Sequence, residues 1–238
     1  SYEKYEKQCS RLYETYRKEF NSVFCLNNAD APICYIVMAA NKGMCGAFNA
    51  ELLSFFDGIL EKEKKTPVIF TCGKKVREHF QSNGIPYKKA YIFNDVPSYS
   101  EVSELFKEIR SLMKEGSVSS VRMVYPEYIN MIKQEPVLCD LFTIDEGKDE
   151  GDNFIFVPDK DTVINNTAEK TFTSIMYKKI LETALGAQAA TLTTMRSAYD
   201  TACEYSTQLE TQINRIRQSQ VTADVIEISA EYSMKGEK

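Results

Sequence analysis

The chain has no tryptophan, a single histidine, ten glycines and seven prolines in 238 residues. No proline follows Pro158, and after Gly151 only Gly186 interrupts before the closing tail. A single histidine, His79, removes most histidine-based metal and triad chemistry. It lies beside Glu78 in a charged stretch and is expected at the surface. No run approaches the roughly 18–20 apolar residues that cross a bilayer. The seven cysteines, Cys9, Cys25, Cys34, Cys45, Cys72, Cys139 and Cys203, are odd in number, widely spaced and without a C-x-x-C pair. They read as buried free thiols of a reducing compartment rather than disulfides or a zinc site. A net charge of −5 with no compensating basic stripe argues against nucleic acid as a partner. The polar start, Ser-Tyr-Glu-Lys, is no signal peptide, and beginning on Ser rather than Met points to processing or trimming. Carboxylates are numerous, but no pair marks a cleft and no nucleophile elbow follows a strand. The sequence carries no catalytic constellation, and no cofactor or metal is expected.

What is present is one long helical run, from about Asn165 to Tyr232. Within it Leu192, Met195, Tyr199, Ala202, Ser206, Leu209, Ile213 and Ile216 recur at alternating steps of three and four. That is a heptad seam. At 1.5 Å per residue such a helix is about 100 Å long, whereas the preceding residues would make a domain only about 40 Å across. Most of the helix is therefore expected to project and to be held by partners.

Residues 1–26 carry a second, aromatic seam: Tyr2, Tyr5, Cys9, Leu12, Tyr16, Phe20 and Val23. This helix is a natural, shorter partner for the long one. Between the two, strands are expected at Ile33–Ala40, Pro67–Cys72, Lys88–Phe93, Val118–Tyr125 and Val137–Thr143, with a short edge strand at Phe154–Val157. Helices are expected at Phe48–Lys64, at Lys74–Ser82, and from the Ser98/Glu101 capping box to Gly116. Asn166 and Glu169 are expected to cap the long helix. Strands alternating with helices imply an α/β domain with a mostly parallel, Rossmann-like sheet. The division is 1–28, an N-terminal coiled-coil helix; 29–158, the α/β domain; and 159–238, the long C-terminal coiled-coil helix. The domain is inserted between two helices that form an antiparallel coiled coil.

Two short motifs suggest phosphate chemistry. Gly43-Met44-Cys45-Gly46 follows a buried strand, where a phosphate can sit. It is G-x-x-G rather than G-x-G-x-x-G, and a tight turn that needs glycine for its backbone angles is the preferred reading. Gly73-Lys74-Lys75 lacks the upstream glycine and the Ser/Thr of a P-loop. Near the end of the long helix, Arg215, Arg217, Gln218, Gln220 and Thr222 crowd two turns. On an isolated helix they would be a solvated face; on a projecting one they are what a surrounding partner would touch.

At this point the residues resemble a known family. Tyr177 to Cys203 is similar to the C-terminal helix of the gamma subunit of F-type ATP synthases. The matching positions include Tyr177, Glu182, Gln188, Ala189, Ala190, Met195, Ala198, Asp200 and Ala202. Asn214 to Ile228 resembles the family's terminal pattern: N-x-x-R-Q at Asn214, Arg217 and Gln218, then Thr222 and two acidic residues, Asp224 and Glu227. Asn41 to Asn49 resembles the family's first loop, D-R-G-L-C-G-x-x-N, and Phe156-Val-Pro-Asp159 its approach to the long helix. The resemblance runs from about Tyr13 to Ser229. It departs at Ala187 and Thr191, where the family has acidic and basic residues, at Asp224, where Glu is usual, and at Ala230-Glu231. The chain also lacks the start of the family's N-terminal helix, with truncation or processing as the expected cause.

The resemblance implies a non-catalytic central-stalk rotor. It would couple proton (or sodium) flow through the membrane ring to ATP synthesis or hydrolysis in the alpha/beta hexamer. Implied partners are the alpha and beta subunits, an epsilon-type stalk subunit and the c-subunit ring. The chain would be peripheral on an energy-transducing membrane, on the bacterial cytoplasmic face or the mitochondrial matrix side, and would not itself span it. Arg215, Arg217, Gln218, Thr222, Asp224 and Glu227 would contact the hexamer. Two alternatives stay open: an α/β phospholigand-binding module that dimerises through its long helix, and a regulator that inserts its helix into an ATPase without turning.

Overall fold

Ile33-Cys-Tyr-Ile-Val-Met38 is apolar without alternation because both of its faces are covered. In the computed structural model, which describes residues 8, 11–13, 15–16, 19–20, 23, 28–94, 97–142, 157 and 159–235, this run is β1, Ile33–Met38. It is followed by α1 (Phe48–Leu60), β2 (Val68–Cys72), α2 (Lys74–Ser82), β3 (Lys89–Tyr91), α3 (Tyr99–Lys114), β4 (Ser120–Tyr128), β5 (Gln134–Phe142) and α4 (Lys160–Lys235). The chain divides into two units, Ser1–Thr193 and Thr194–Lys238.

In the first unit the strands lie in the order β3-β2-β1-β4-β5. All pairings are parallel except β4 with β5. On one face Cys34, Ile36 and Met38 join residues of α3 and α4 in a large core. On the other, Tyr35 and Val37 pack with Leu52 and Phe56 of α1 and with Val76 and Phe80 of α2. The expected mostly parallel sheet with helices on both faces is what forms.

Several boundaries differ from the sequence reading. β5 begins at Gln134 and is antiparallel, and Pro126 and Pro136, which fall between the two expected strands, pair with one another inside the hairpin. The sheet tolerates them because β1 leaves β4 at Val124 and β5 is the outermost strand, so neither missing N–H interrupts a central ladder. α1 stops at Leu60 rather than Lys64; Lys62 and Glu63 close a tight final turn onto Ile59 and Leu60, and Glu63 accepts a hydrogen bond from Tyr35. α4 begins at Lys160, not Asn165. Its first amides are met by Asp159, whose carboxylate accepts from the Thr162 N–H at 2.9 Å, so Asn166 and Glu169 lie inside the helix. The Ser98/Glu101 capping box forms as expected. The expected edge strand falls on residues 154–157, of which only Val157 is among the described residues, and it is exposed.

Of the N-terminal seam, Tyr2, Tyr5 and Cys9 lie outside the described residues. Further along, Tyr16 and Phe20 donate backbone hydrogen bonds four residues back, to Leu12 and Tyr16, at 3.0 Å each. Phe20 is buried, and Leu12, Tyr16 and Val23 pack on the core. Phe20 meets Phe172 of α4 edge-on at 5.7 Å. The sequence reading missed Tyr13, whose ring meets Phe172 at 4.8 Å while its hydroxyl donates to the Leu141 carbonyl at 2.6 Å. Glu19 and Tyr16 meet Lys160, at the start of α4, while the earlier Tyr13 meets the later Phe172.

Burial also predicts alkaline lability. Desolvation pushes the Cys34 thiol from 9.0 to about 12. It pushes the Tyr35 phenol from 10.0 to about 12, and the hydrogen bond to Glu63 adds to that rise. Both groups bind their proton more tightly in the folded chain. Their contribution to stability is complete below the ordinary values and is lost as pH rises from about 9 towards 12. Urea midpoints measured from neutral pH upward should begin to fall near pH 9, and Cys34→Ala should make the fall shallower. A midpoint that stays flat to pH 11 would contradict this.

Candidate partner interface on the long helix

α4 has two stretches of different character. Its first half contributes Ile164, Ala168, Phe172, Met176 and Ile180 to the core at steps of four. Arg110 of α3 pairs with Glu169, Tyr99 meets Tyr177 edge-on at 5.7 Å, and the Lys179 ammonium lies 4.8 Å from the centre of the Tyr125 ring. Burial and the neighbouring tyrosine oppose one another at Lys179, and the net result is a raised pKa that keeps it cationic.

The same helix closes the place where a phosphate was considered. The switch point of the sheet lies between β1 and β4, where doubly wound sheets usually bind ligands. Here the loop after β1 is tied down by its own side chains. Asn49 accepts from the Ala40 N–H at 3.0 Å, and Asn41 accepts from the Lys74 N–H at 3.0 Å. Cys45 and Phe48 pack against Ala190 of α4. A Cβ at Gly186 would stand 3.2 Å from Phe48 and 3.4 Å from Gln134, so α4 passes close to α1 and β5 at this mid-helix glycine. Only half of the expected glycine requirement holds: Gly46 has φ 58°, but the other left-handed residue is Met44, at φ 63°, and not Gly43. The loop packs against α4 through Cys45, and nothing among the described residues there favours the phospholigand alternative.

From Met195 to Ala230 every residue of α4 is exposed. Leu192, Met195, Tyr199, Leu209, Ile213 and Ile216 are 40–69% accessible, although their spacing is that of a buried seam. Ala202 is exposed with them. Arg215, Arg217, Gln218, Thr222, Asp224 and Glu227 are also exposed, and the Thr222 hydroxyl donates to the Gln218 carbonyl of its own helix at 2.8 Å. The sequence reading missed a second apolar stripe, Val221, Val225 and Ile228, each at least 56% accessible. Its signal was the step of five after Ile216, which turns the stripe by about 140° at 3.6 residues per turn. A helix with two bare apolar stripes and interspersed polar groups is equipped for partners on more than one side.

The remaining candidates are His79 and the cysteines. His79 is not free at the surface: it is half-buried, with Nε2 3.0 Å from Asp57, and it links α2 to α1. Cys34, Cys45 and Cys72 are buried free thiols as expected, Cys139 is half-buried, Cys203 is exposed, and Cys9 and Cys25 lie outside the described residues. Among the described residues no cluster of His, Cys, Asp or Glu is arranged for a metal, and no helix is long and apolar enough to cross a membrane.

The family model described as ATP synthase matches residues 1–232. The chain belongs to the ATP synthase gamma family. Among curated relatives of this gamma-family chain, the ATP synthase gamma chain of Clostridium botulinum (strain Eklund 17B / Type B) is 26% identical over 228 residues, covering 95% of this chain and 81% of that one. The ATP synthase gamma chain of Rubrobacter xylanophilus is 28% identical over 207 residues, covering 83% and 71%. Among solved structures, a chain of the Euglena gracilis mitochondrial ATP synthase (OSCP/F1/c-ring, rotational state 3) has the same fold, with TM-score 0.66 at 14% identity. That match covers 98% of this chain and 90% of the other.

Proposed function

We propose that this chain is the central-stalk rotor subunit of an F-type ATP synthase. It would couple proton or sodium flow through a membrane ring to ATP synthesis or hydrolysis in an alpha/beta hexamer. The observation that carries the reading is the bare heptad seam from Leu192 to Ile216, on a helix whose lower half is locked to its own domain. The gamma-family membership supports it. Torque applied to the first unit can pass into α4 because Phe172, the Arg110–Glu169 pair and the Gly186–Phe48 contact hold the helix.

On this reading the chain holds no active site of its own and acts through the hexamer's catalytic sites. Arg215, Arg217, Gln218, Thr222, Asp224 and Glu227 contact the hexamer, the α/β domain meets an epsilon-type subunit and the c-ring, and the whole is peripheral to the membrane. The working division is 1–28 and 159–238 as shaft and 29–158 as foot.

Purification from the native source should bring down alpha- and beta-type ATPase subunits. In that complex, Arg217→Ala together with Gln218→Ala should lower coupled ATP turnover about tenfold, as loss of an interface hot spot does, while the subunits still co-purify. A chain that purifies without ATPase subunits would overturn the reading. A complex whose turnover ignores the double substitution would remove those two residues from the contact.

A further inference from the structure

The connection between β4 and β5 departs from the usual composition of a hairpin. Such turns are normally polar, with Gly, Asn or Asp supplying the bend. Here the residues from Ile129 to Lys133 include three large apolar ones, Ile129, Met131 and Ile132, which are 48%, 51% and 84% accessible. Three such side chains within four positions form a cluster, unlike the scattered single exposures that every surface carries.

The tip is also held in one shape. The Asn130 side-chain oxygen accepts from the Ile132 N–H at 2.9 Å and from the Lys133 N–H at 2.8 Å. The N–H groups of Ile129 and Asn130 donate to the Lys133 carbonyl at 3.2 and 3.1 Å, and the Gln134 side-chain amide donates to the Asn130 carbonyl at 2.8 Å. The Thr193 hydroxyl of α4 shares its proton between the Met131 carbonyl, 3.2 Å away, and the Ala189 carbonyl of its own helix, 3.0 Å away. A loop tied in this way has given up its conformational freedom before any partner arrives, which removes one cost of binding.

Its place in the fold narrows the partner. α4 runs along β4 in the same direction, with Lys179 over the Tyr125 ring and Thr193 beside Met131. The tip therefore stands where the first unit ends, since Thr193 is the last residue of that unit and the exposed stretch of α4 follows. A partner that closes around α4 just beyond Thr193 meets this tip.

We propose that the Ile129–Ile132 tip is a docking point for an apolar surface on the alpha/beta hexamer, at the base of the shaft. The inference rests on the rotor reading and adds to it a contact outside the long helix. Its chemistry suits a partner that turns. Apolar contact is non-directional, so a surface can pass over Ile132 without breaking oriented hydrogen bonds, whereas an ion pair there would have to be broken at each step.

In the assembled complex, photoreactive p-benzoylphenylalanine in place of Ile132 should cross-link on irradiation to an alpha or a beta subunit. The same group in place of Thr66, exposed at the opposite end of the parallel strands, should not. Ile132→Asp should leave the urea midpoint of the chain unchanged, because the side chain is exposed. It should weaken binding of the full chain to alpha and beta subunits about tenfold, as loss of an interface anchor does. Adducts confined to the chain's own residues, to an epsilon-type subunit or to the c-ring would overturn the proposal. So would an Ile132→Asp chain that binds the hexamer as tightly as wild type. A chain that assembles with the hexamer yet gives no adduct sinks this inference and leaves the rotor reading standing; a chain that binds no hexamer removes both.

Discussion

Gly73→Ala is expected to leave little folded protein. Gly73 follows β2, and its N–H donates to the Tyr91 carbonyl at 2.8 Å while its neighbour Lys74 donates to Asn41. Its φ of 110° is a conformation that side-chain-bearing residues rarely adopt. A Cβ built there overlaps the Ala39 carbonyl oxygen and stands 3.0 Å from its carbonyl carbon. Both obstacles are backbone atoms at the end of β1, the central strand, so no side chain can move aside. Strain of this kind costs about 1–3 kcal/mol, and displacing β1 from β2 adds more. A total above about 4 kcal/mol is a large part of the 5–15 kcal/mol that holds an ordinary domain. Soluble yield and urea midpoint should both collapse. Gly58→Ala is the control: Gly58 lies within α1, and a Cβ there meets nothing within 4 Å. That substitution should be neutral or stabilising by about 0.5–1 kcal/mol. A Gly73→Ala chain as stable as wild type would show that the turn after β2 is not constrained as described.

The second large effect is at Phe172. The ring is 1% accessible and meets Tyr13 at 4.8 Å, Phe20 at 5.7 Å and Phe106 at 6.3 Å. It is the point where the N-terminal segment, α3 and α4 converge. Phe172→Ala should cost about 3–5 kcal/mol, the range for deleting a buried aromatic ring. The loss should fall first on the N-terminal segment, whose described contacts with α4 run through this ring and Lys160. Hydrogen exchange at residues 11–13, 15–16 and 19–20 should therefore rise more than exchange in β1 and β2. A cost below about 1 kcal/mol, or protection lost evenly across the sheet, would mean that the segment is held elsewhere. If the chain transmits torque, the same variant should uncouple the shaft while the sheet stays folded.

Much of the architecture was legible in the order of residues. The unbroken apolar run of β1 announced a strand covered on both faces, and the Ser98/Glu101 box placed the start of α3. The seam from Leu192 to Ile216 marked a face that the chain's own domain does not cover, and those residues are exposed. These signals are local: periodicity, capping chemistry and the reach of a helix depend only on neighbours in sequence. The phosphate reading of Gly43–Gly46 lost ground for a reason that no local pattern carries. What packs on Cys45 is Ala190, well over a hundred residues away in sequence.

The sequence by itself determined the period of each element and the seam on α4, because these follow from side-chain type and spacing. Tertiary structure alone decided three things. It set Pro126 opposite Pro136 at an edge, where missing N–H groups do no harm. It turned Tyr13 towards Leu141 as well as Phe172. And it brought the Ala39 carbonyl to the place that a Cβ on Gly73 would occupy, which only the folded sheet does. Each depends on contacts between residues distant in sequence, and their geometry exists only once the chain has closed on itself.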